Sequence, residues 1–410
     1  MVETDTIHLV MGISSSGKSS YIASRINSGE WADIPVFMAH EITRSILEGL
    51  TDRGYVIHYN LFRTFGNSLD NINNDIMSDP LLQHLLEQKQ RLRVSFIVTP
   101  RSELIKRILL RTHTEREIKT IAERYPMQGV AELLFVLNME ALYKRWFSVF
   151  QERGIPLELV HASGGGFFPL ASASDALAVA LSRERAHYSE QEIDHILQTN
   201  HFEYQQIALS PTRSTPGQDR SGTLRLLDGD LTGKTVLDIG CAYGFFCFEA
   251  EQRHAARVVG TELKRHRFLG ANIIKEIRGS NCEFYYQDIF KTPVQGKFDI
   301  VLFLNVIHHL REPMTALRIA AALAREKMIF EFPTLSDKKF LASLPEGASI
   351  DPSLPLIGVS LLGEQGQTFL FSEDAVRRIF TEQNRYFQRL EFQPSPMGAE
   401  RRVAICYKNA

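Results

Sequence analysis

The sequence predicts an α/β protein of two doubly wound domains, and three observations carry that prediction. Two distant stretches share one local pattern, an apolar run that enters a glycine-spaced loop and continues as a helix: residues 6–11 into 12–20, and residues 236–239 into 240–244. After each of them, short apolar runs alternate with helical stretches, as βαβ units of a parallel sheet do. A chain of 410 residues is also too long for one ordinary core.

Composition sets the boundaries and the partners. Residues 1–170 hold the first series of strands. Residues 171–199, rich in Ala, Ser, Glu and Arg and helical in period, read as a linker, and 200–410 hold the second series. Hydrophobic content of 44% and charged content of 23% are ordinary for a globular protein. A net charge of −2 supplies no global basic field, which disfavours RNA as partner against a small molecule or saccharide. Cys241, Cys247, Cys282 and Cys406 lack paired metal-ligand spacing and read as free thiols of a reducing compartment. The apolar run at 7–11 is too short for a signal segment or a membrane span, so a cytoplasmic location without a span is expected.

In the first domain the opening strand runs into Gly12-Ile13-Ser14-Ser15-Ser16-Gly17-Lys18-Ser19-Ser20, which matches G-x-x-x-x-G-K-[ST] at every position. Such a loop wraps so that successive N–H groups and a helix N-terminus converge on phosphate. Lys18 then reaches the β/γ-phosphates and the Ser19 hydroxyl sits on Mg²⁺. Further strands are expected at 34–39, 55–59, 94–99 and 157–161. The second delivers His40 and Glu41 to the ligand end of the sheet, with Glu41 the candidate general base. The third ends at Asn60. A helix from Ser102, read as its N-cap, to Arg111 puts Leu104, Ile105, Ile108 and Leu109 on one face and Arg107 and Arg111 on another. Ser163-Gly164-Gly165-Gly166 reads as an exit turn, with a base-pocket loop as the alternative.

Residues 5–170 resemble the P-loop kinases. The resemblance implies an ATP or GTP donor with Mg²⁺, and a lid whose arginines (Arg107, Arg111 and Arg116) cover the transferring phosphoryl group. The chain departs from the family at Asn60, where an aspartate commonly supports the metal. A sulfotransferase-like relative is the alternative; the intact Gly-Lys-Ser favours a nucleoside triphosphate.

In the second domain, Asp238 ends the first strand and Gly240, Cys241, Ala242 and Gly244 form the loop, with alanine where glycine is usual in the middle. The strand at 257–261 delivers Glu262, an acid placed to hold ribose hydroxyls. The stretch 284–289 delivers Asp288 and Ile289, and the strand from 298 leads into Asn305, His308 and His309. A fifth strand at 328–332 carries Glu331 to the same end. Residues 341–367, rich in Pro, Gly, Ser and Leu, read as an inserted lid, and 390–392 with 403–407 as a closing antiparallel hairpin.

Three acids at successive strand ends, in register with a glycine loop, resemble the class I methyltransferases that use S-adenosylmethionine (SAM). That resemblance covers about 200–408. It implies a Rossmann-like sheet in which Asp238 meets the methionine ammonium, Glu262 the ribose, and Asp288 and Ile289 the adenine. Asn305 lines the transfer pocket, and His309 is the favoured base of the histidine pair. Tyr204 and the loop at 214–217 resemble the entry segment of the family that modifies tRNA wobble uridine with SAM-derived groups. The small RNA 3′-end methyltransferases pair histidines with glutamates to hold a metal, and His308-His309 does not reproduce their spacing. The expected whole is a bifunctional enzyme that phosphorylates a hydroxyl and methylates the same substrate, like the bacterial kinase–methyltransferases that cap surface polysaccharide. The alternatives are an RNA (tRNA)-modifying methyltransferase with an attached kinase, and a first domain that binds nucleotide only to regulate.

Overall fold

A computed structural model of the chain describes residues 5–50, 53–65, 75–111, 126–227, 229–351, 353–360 and 369–409. The chain forms two compact units, residues 1–188 and 189–410. Of the stretch 171–199, the helix Ala173–Ala180 lies in the first unit and the helix Glu190–Thr199 in the second. No helix among the described residues is long and apolar enough to cross a membrane.

The first unit is built on six strands: β1 Ile7–Gly12, β2 Val36–Met38, β3 Tyr55–Asn60, β4 Leu92–Val98, β5 Leu157–Ser163 and β6 Gly166–Leu170, in the order β2-β3-β1-β4-β5-β6. All neighbours pair in parallel except β5 and β6. β1 is nearly wholly buried because helices cover both faces of a parallel sheet, which is why it reads as an unbroken apolar run. The helix Met139–Gln151 buries Tyr143 and Phe147, whose rings meet Phe96 of β4 at 5.6 and 4.9 Å. The helix Arg101–Leu109 buries Leu104, Ile105, Ile108 and Leu109, the apolar face that its spacing dictates.

Two readings of this unit need correction. Ser102 is not a helix cap: the helix starts after Pro100, and the Ser102 hydroxyl donates to the Glu184 carbonyl at 2.7 Å. Residues 163–166 are not an exit turn but a β-hairpin. Gly164 and Gly165 take φ of 55° and 81°, the pair of left-handed positions that a two-residue hairpin turn demands, and β6 folds back along β5.

The second unit has seven strands: β7 Thr235–Ile239, β8 Arg257–Glu262, β9 Glu283–Tyr286, β10 Phe298–Phe303, β11 Ala324–Pro333, β14 Arg389–Pro394 and β15 Arg401–Tyr407, in the order β14-β15-β11-β10-β7-β8-β9. β7 to β11 run parallel, and β14 and β15 close the edge as an antiparallel pair. The stretch read as an inserted lid contains a strand of its own, β12 Ile357–Val359, which pairs with β13 Phe369–Phe371; residues 361–368 lie outside the described residues. In both units the glycine loop leaves the strand where the order reverses, β1 in one and β7 in the other. That switch point opens a crevice at the carboxyl ends of the strands.

The second core is centred on Phe330, fully buried, with the rings of Phe303, Phe332 and Phe380 at 5.9, 5.1 and 5.7 Å. Phe330→Ala is expected to cost about 3–5 kcal/mol, read as a lower denaturant midpoint, with Phe330→Leu costing markedly less.

Candidate functional site

Beside the loop after β1 lies a cavity of about 750 Å³. Lys18, Arg63, Arg107, Arg111, His40 and His58 line it, and no carboxylate does among the described residues. The loop itself is strained open, with Ser15 at φ 65°. Among the described residues, the amides of Ser15, Gly17 and Lys18 have no protein acceptor, which is the arrangement of an anion nest. Lys18 is 3% exposed and its Nζ donates to the carbonyls of Gly12 and Ile13 at 2.9 and 2.7 Å. Burial first, and Arg111 second, push its pKa down to about 7. Ser14, Ser15, Ser19 and Ser20 all face the cavity, whereas Ser16 is buried with Gly12 behind the loop, and the Ser16 carbonyl accepts from the Thr99 hydroxyl at 3.0 Å.

The two strand-end candidates change places with their neighbours. Glu41 is exposed and accepts from the Met38 amide at 3.1 Å, so its carboxylate closes the turn after β2; His40 lines the cavity instead. Asn60 donates to the Ser14 hydroxyl at 3.2 Å and accepts from the Phe62 amide at 3.2 Å. The side chain that faces Ser19 is His58, with Nε2 3.3 Å from Oγ. Burial, then Lys18, lowers the His58 pKa to about 4, so the ring is neutral. Alternation along β3 puts 58 and 60 on one face, which is the signal that would have found it. Arg107 bonds Glu103 at 2.8 Å and reaches the Ser15 carbonyl at 3.5 Å. Arg116 lies outside the described residues. Arg63, which pairs with Asp79 at 2.9 Å, and Phe167 of the β5–β6 hairpin are lining residues that no motif marks.

The loop after β7 has a different economy. Its amides are satisfied by protein: Gly240 and Cys241 donate to the Thr261 carbonyl at 2.8 and 3.0 Å, and Ala242 to Glu262 at 2.9 Å. Tyr243 and Phe245 both donate to the Gln205 side chain, at 3.0 and 3.4 Å. Ala242 takes φ 53° without a glycine, held by its bond to Glu262. Gly240 and Gly244 are required by packing: a Cβ on either would lie 2.6 Å from Val306 or Phe284. Cys241 is buried, as are Cys247, Cys282 and Cys406, and all four are free thiols.

Around this loop the acids stand at successive strand ends. Asp238 is 3% exposed, and burial first and Glu262 second raise its pKa to about 7. Glu262 accepts the Lys264 amide at 2.7 Å as well as that of Ala242, one on each oxygen, which leaves each oxygen a further lone pair. Asp288 follows β9, half-buried, and accepts the Phe290 amide at 3.0 Å; Ile289 packs against the β10 core. Asn305 takes φ 59° and its side-chain oxygen accepts from Arg401. The guanidinium groups of Arg267 and Arg220 stand 4.2 and 5.1 Å from the Tyr204 ring centre. His308 is buried, and burial, His309 and Arg401 drive its pKa down to about 3. Its Nδ1 has no hydrogen-bond partner among the described residues. His309 is the more exposed of the two, its pKa lowered by partial desolvation of the ring and by Lys264, Arg401 and Arg267. Glu331 lies buried two residues before the end of β11, accepting from the Ser395 hydroxyl, its pKa raised by burial. Gln205, Arg267 and Arg401 carry no sequence signature, and only the tertiary structure brings Gln205 to the loop, Arg267 to Tyr204 and Arg401 to Asn305.

Residues 230–383 match the family model of a methyltransferase domain. The second unit therefore carries a class I, SAM-type methyltransferase domain. A tRNA U34 carboxymethyltransferase of Campylobacter lari is 23% identical over 120 residues, 28% of this chain and 41% of that protein. A ubiquinone biosynthesis O-methyltransferase of Bordetella parapertussis is 27% identical over 129 residues, 30% of this chain and 53% of that protein. The chain thus spans only about half or less of the curated relatives it matches. Among solved structures, the N-terminal domain of EvdMO1, crystallised with SAH and D-fucose, is 16% identical and aligns over 55% of this chain and 98% of its own at a TM-score of 0.41.

An ammonium group brought beside Asp238 requires the carboxylate, which the free protein holds largely protonated below pH 7. Binding of S-adenosylhomocysteine is therefore expected to release about three-quarters of a proton at pH 6.5, and its affinity to fall towards tenfold per pH unit well below 7. Calorimetry in two buffers of different ionisation enthalpy measures this, and Asp238→Asn should abolish the buffer dependence.

Proposed function

We propose that this chain is a bifunctional transferase: the first unit transfers the γ-phosphoryl group of ATP or GTP to a hydroxyl, and the second transfers a methyl group from SAM to the same substrate. The observation that carries the phosphoryl-transfer half is the cavity beside the β1 loop, lined by cations without a carboxylate and floored by amides that lack an acceptor. Lys18 swings from the Gly12 and Ile13 carbonyls to phosphate oxygens, which restores a counter-charge to a buried ammonium. Arg107 and Arg111 neutralise charge on the transferring group. His40, not Glu41, takes the acceptor's proton as its oxygen bonds to phosphorus and the nucleoside diphosphate leaves.

In the second unit, SAM supplies an electrophilic methyl on sulfonium when bound. Asp238 and Glu262 orient its two ends, Asp288 and Ile289 hold the base, and Tyr204, beside Arg267 and Arg220, closes over it. His309, exposed and neutral, receives a proton when the acceptor is a hydroxyl; a phosphate acceptor needs no base. A saccharide end is the acceptor class favoured.

The test is mass spectrometry of cell extract incubated with the protein, ATP-Mg²⁺ and SAM. Wild type should add phosphate and methyl to one acceptor, Asp238→Ala phosphate alone, and Lys18→Ala neither. Methyl gain that survives in Lys18→Ala would separate the two activities. His40→Ala should slow phosphate transfer about 10²–10⁴-fold while Glu41→Gln stays near wild type; the reverse order would restore Glu41 as the base.

One observation favours a second reading. Tyr204 with Arg220 and Arg267 beside it forms an aromatic and cationic cluster of the kind that contacts single-stranded RNA, and the Campylobacter relative is named for tRNA uridine. It requires tRNA retention that weakens steeply with salt; salt-insensitive or absent retention excludes it.

A further inference from the structure

We propose that the divalent cation accompanying the nucleotide in the first unit is bound from the protein side by an oxygen and a nitrogen, Ser19 Oγ and His58 Nε2, so that the site accepts Mn²⁺ or Co²⁺ better than Mg²⁺. The inference deepens the phosphoryl-transfer reading and rests on it.

Geometry comes first. Ser19 Oγ and His58 Nε2 are 3.3 Å apart, Ser19 opening the helix Lys18–Asn27 and His58 near the end of the adjacent strand β3. Two donors in neighbouring positions of an octahedron, each about 2.1 Å from the ion, stand about 3.0 Å apart. The pair is thus near the separation that one shared cation imposes, and the ion replaces their mutual hydrogen bond as the imidazole turns its Nε2 lone pair onto it. A cation bound to the Ser19 hydroxyl on this side has His58 Nε2 within reach.

The donor set then decides the ion. Among the described residues no carboxylate lines the cavity, and Asn60, where an acid was expected, is engaged with Ser14 and the Phe62 amide. Among the described residues no three His, Cys, Asp or Glu side chains cluster to hold a metal by themselves. The remaining positions must come from phosphate oxygens and water, so the cation enters with the nucleotide. Mg²⁺ prefers an all-oxygen shell and sheds water reluctantly, whereas imidazole suits the transition-metal ions, whose affinity for nitrogen rises along the series from manganese to cobalt.

The test is pulsed EPR of Mn²⁺ with the non-hydrolysable analogue AMP-PNP on the full chain, in natural-abundance protein and in protein labelled with [¹⁵N]histidine. A nitrogen coupling that changes from ¹⁴N to ¹⁵N with the label is expected, and it separates imidazole from adenine nitrogen without any substitution. His58→Asn should weaken Mn²⁺·AMP-PNP about 10–100-fold, and His58→Asp should shift the preference toward Mg²⁺. A Mn²⁺·AMP-PNP complex that forms without a histidine coupling would overturn this inference and leave the nucleotide reading standing, with His58 serving only as a hydrogen-bond partner of Ser19. Failure of the wild type to bind AMP-PNP with any of the three metals would overturn both.

Discussion

A chain that leaves a central parallel strand must turn across the end of the sheet within a few residues, and the amides it bares there must find acceptors. Both units are organised by that constraint and resolve it in opposite ways. After β7 the protein supplies the acceptors itself. Thr261, Glu262 and Gln205 take up the amides of the loop, and the loop becomes a rigid rim. After β1 the amides of Ser15, Gly17 and Lys18 stay without protein acceptors among the described residues, and Lys18 folds onto two carbonyls of its own loop. A loop with satisfied amides has little to offer a phosphate and must bind through side chains at the strand ends; a loop with bare amides is an incomplete anion site.

The same contrast governs the buried charges. Lys18 and Asp238 are equally buried and of opposite sign, and burial draws both pKa values to about 7, one from above and one from below. In each case the charged form is penalised until a counter-charge arrives: an anion for Lys18, a cation for Asp238. Binding and ionisation are therefore coupled at both loops. The surroundings sharpen the difference, since cations line the first cavity while Glu262 adds a second negative charge beside Asp238. For both groups burial opposes the charged form in the free fold.

How much of this was legible depended on whether the signal was local. The strands announced themselves through apolar runs, and both glycine loops through spacing, because those features are confined to a few consecutive residues. Ser163-Gly164-Gly165-Gly166 was visible as a turn, but its hairpin depended on a fifth strand having a free edge for β6 to pair with, which no local pattern reports. Gln205 is the extreme case: one glutamine in a polar segment becomes the acceptor for two loop amides 38 and 40 residues away.

His58 and Asn60 lie between these limits, and the difference between them is a matter of depth. Both are on the same face of β3, so period alone cannot choose. Asn60, paired with Gly12 in the sheet, is level with the loop's first residue and reaches Ser14; His58, paired with Val10, sits one step lower and has the longer side chain. The helix that starts at Lys18 returns over the sheet, which brings Ser19 back to the level of His58 rather than of Asn60. An acid sought at the last residue of the strand is therefore sought one step too high. The residue that occupies the facing position is an imidazole, and the cavity's chemistry follows from it.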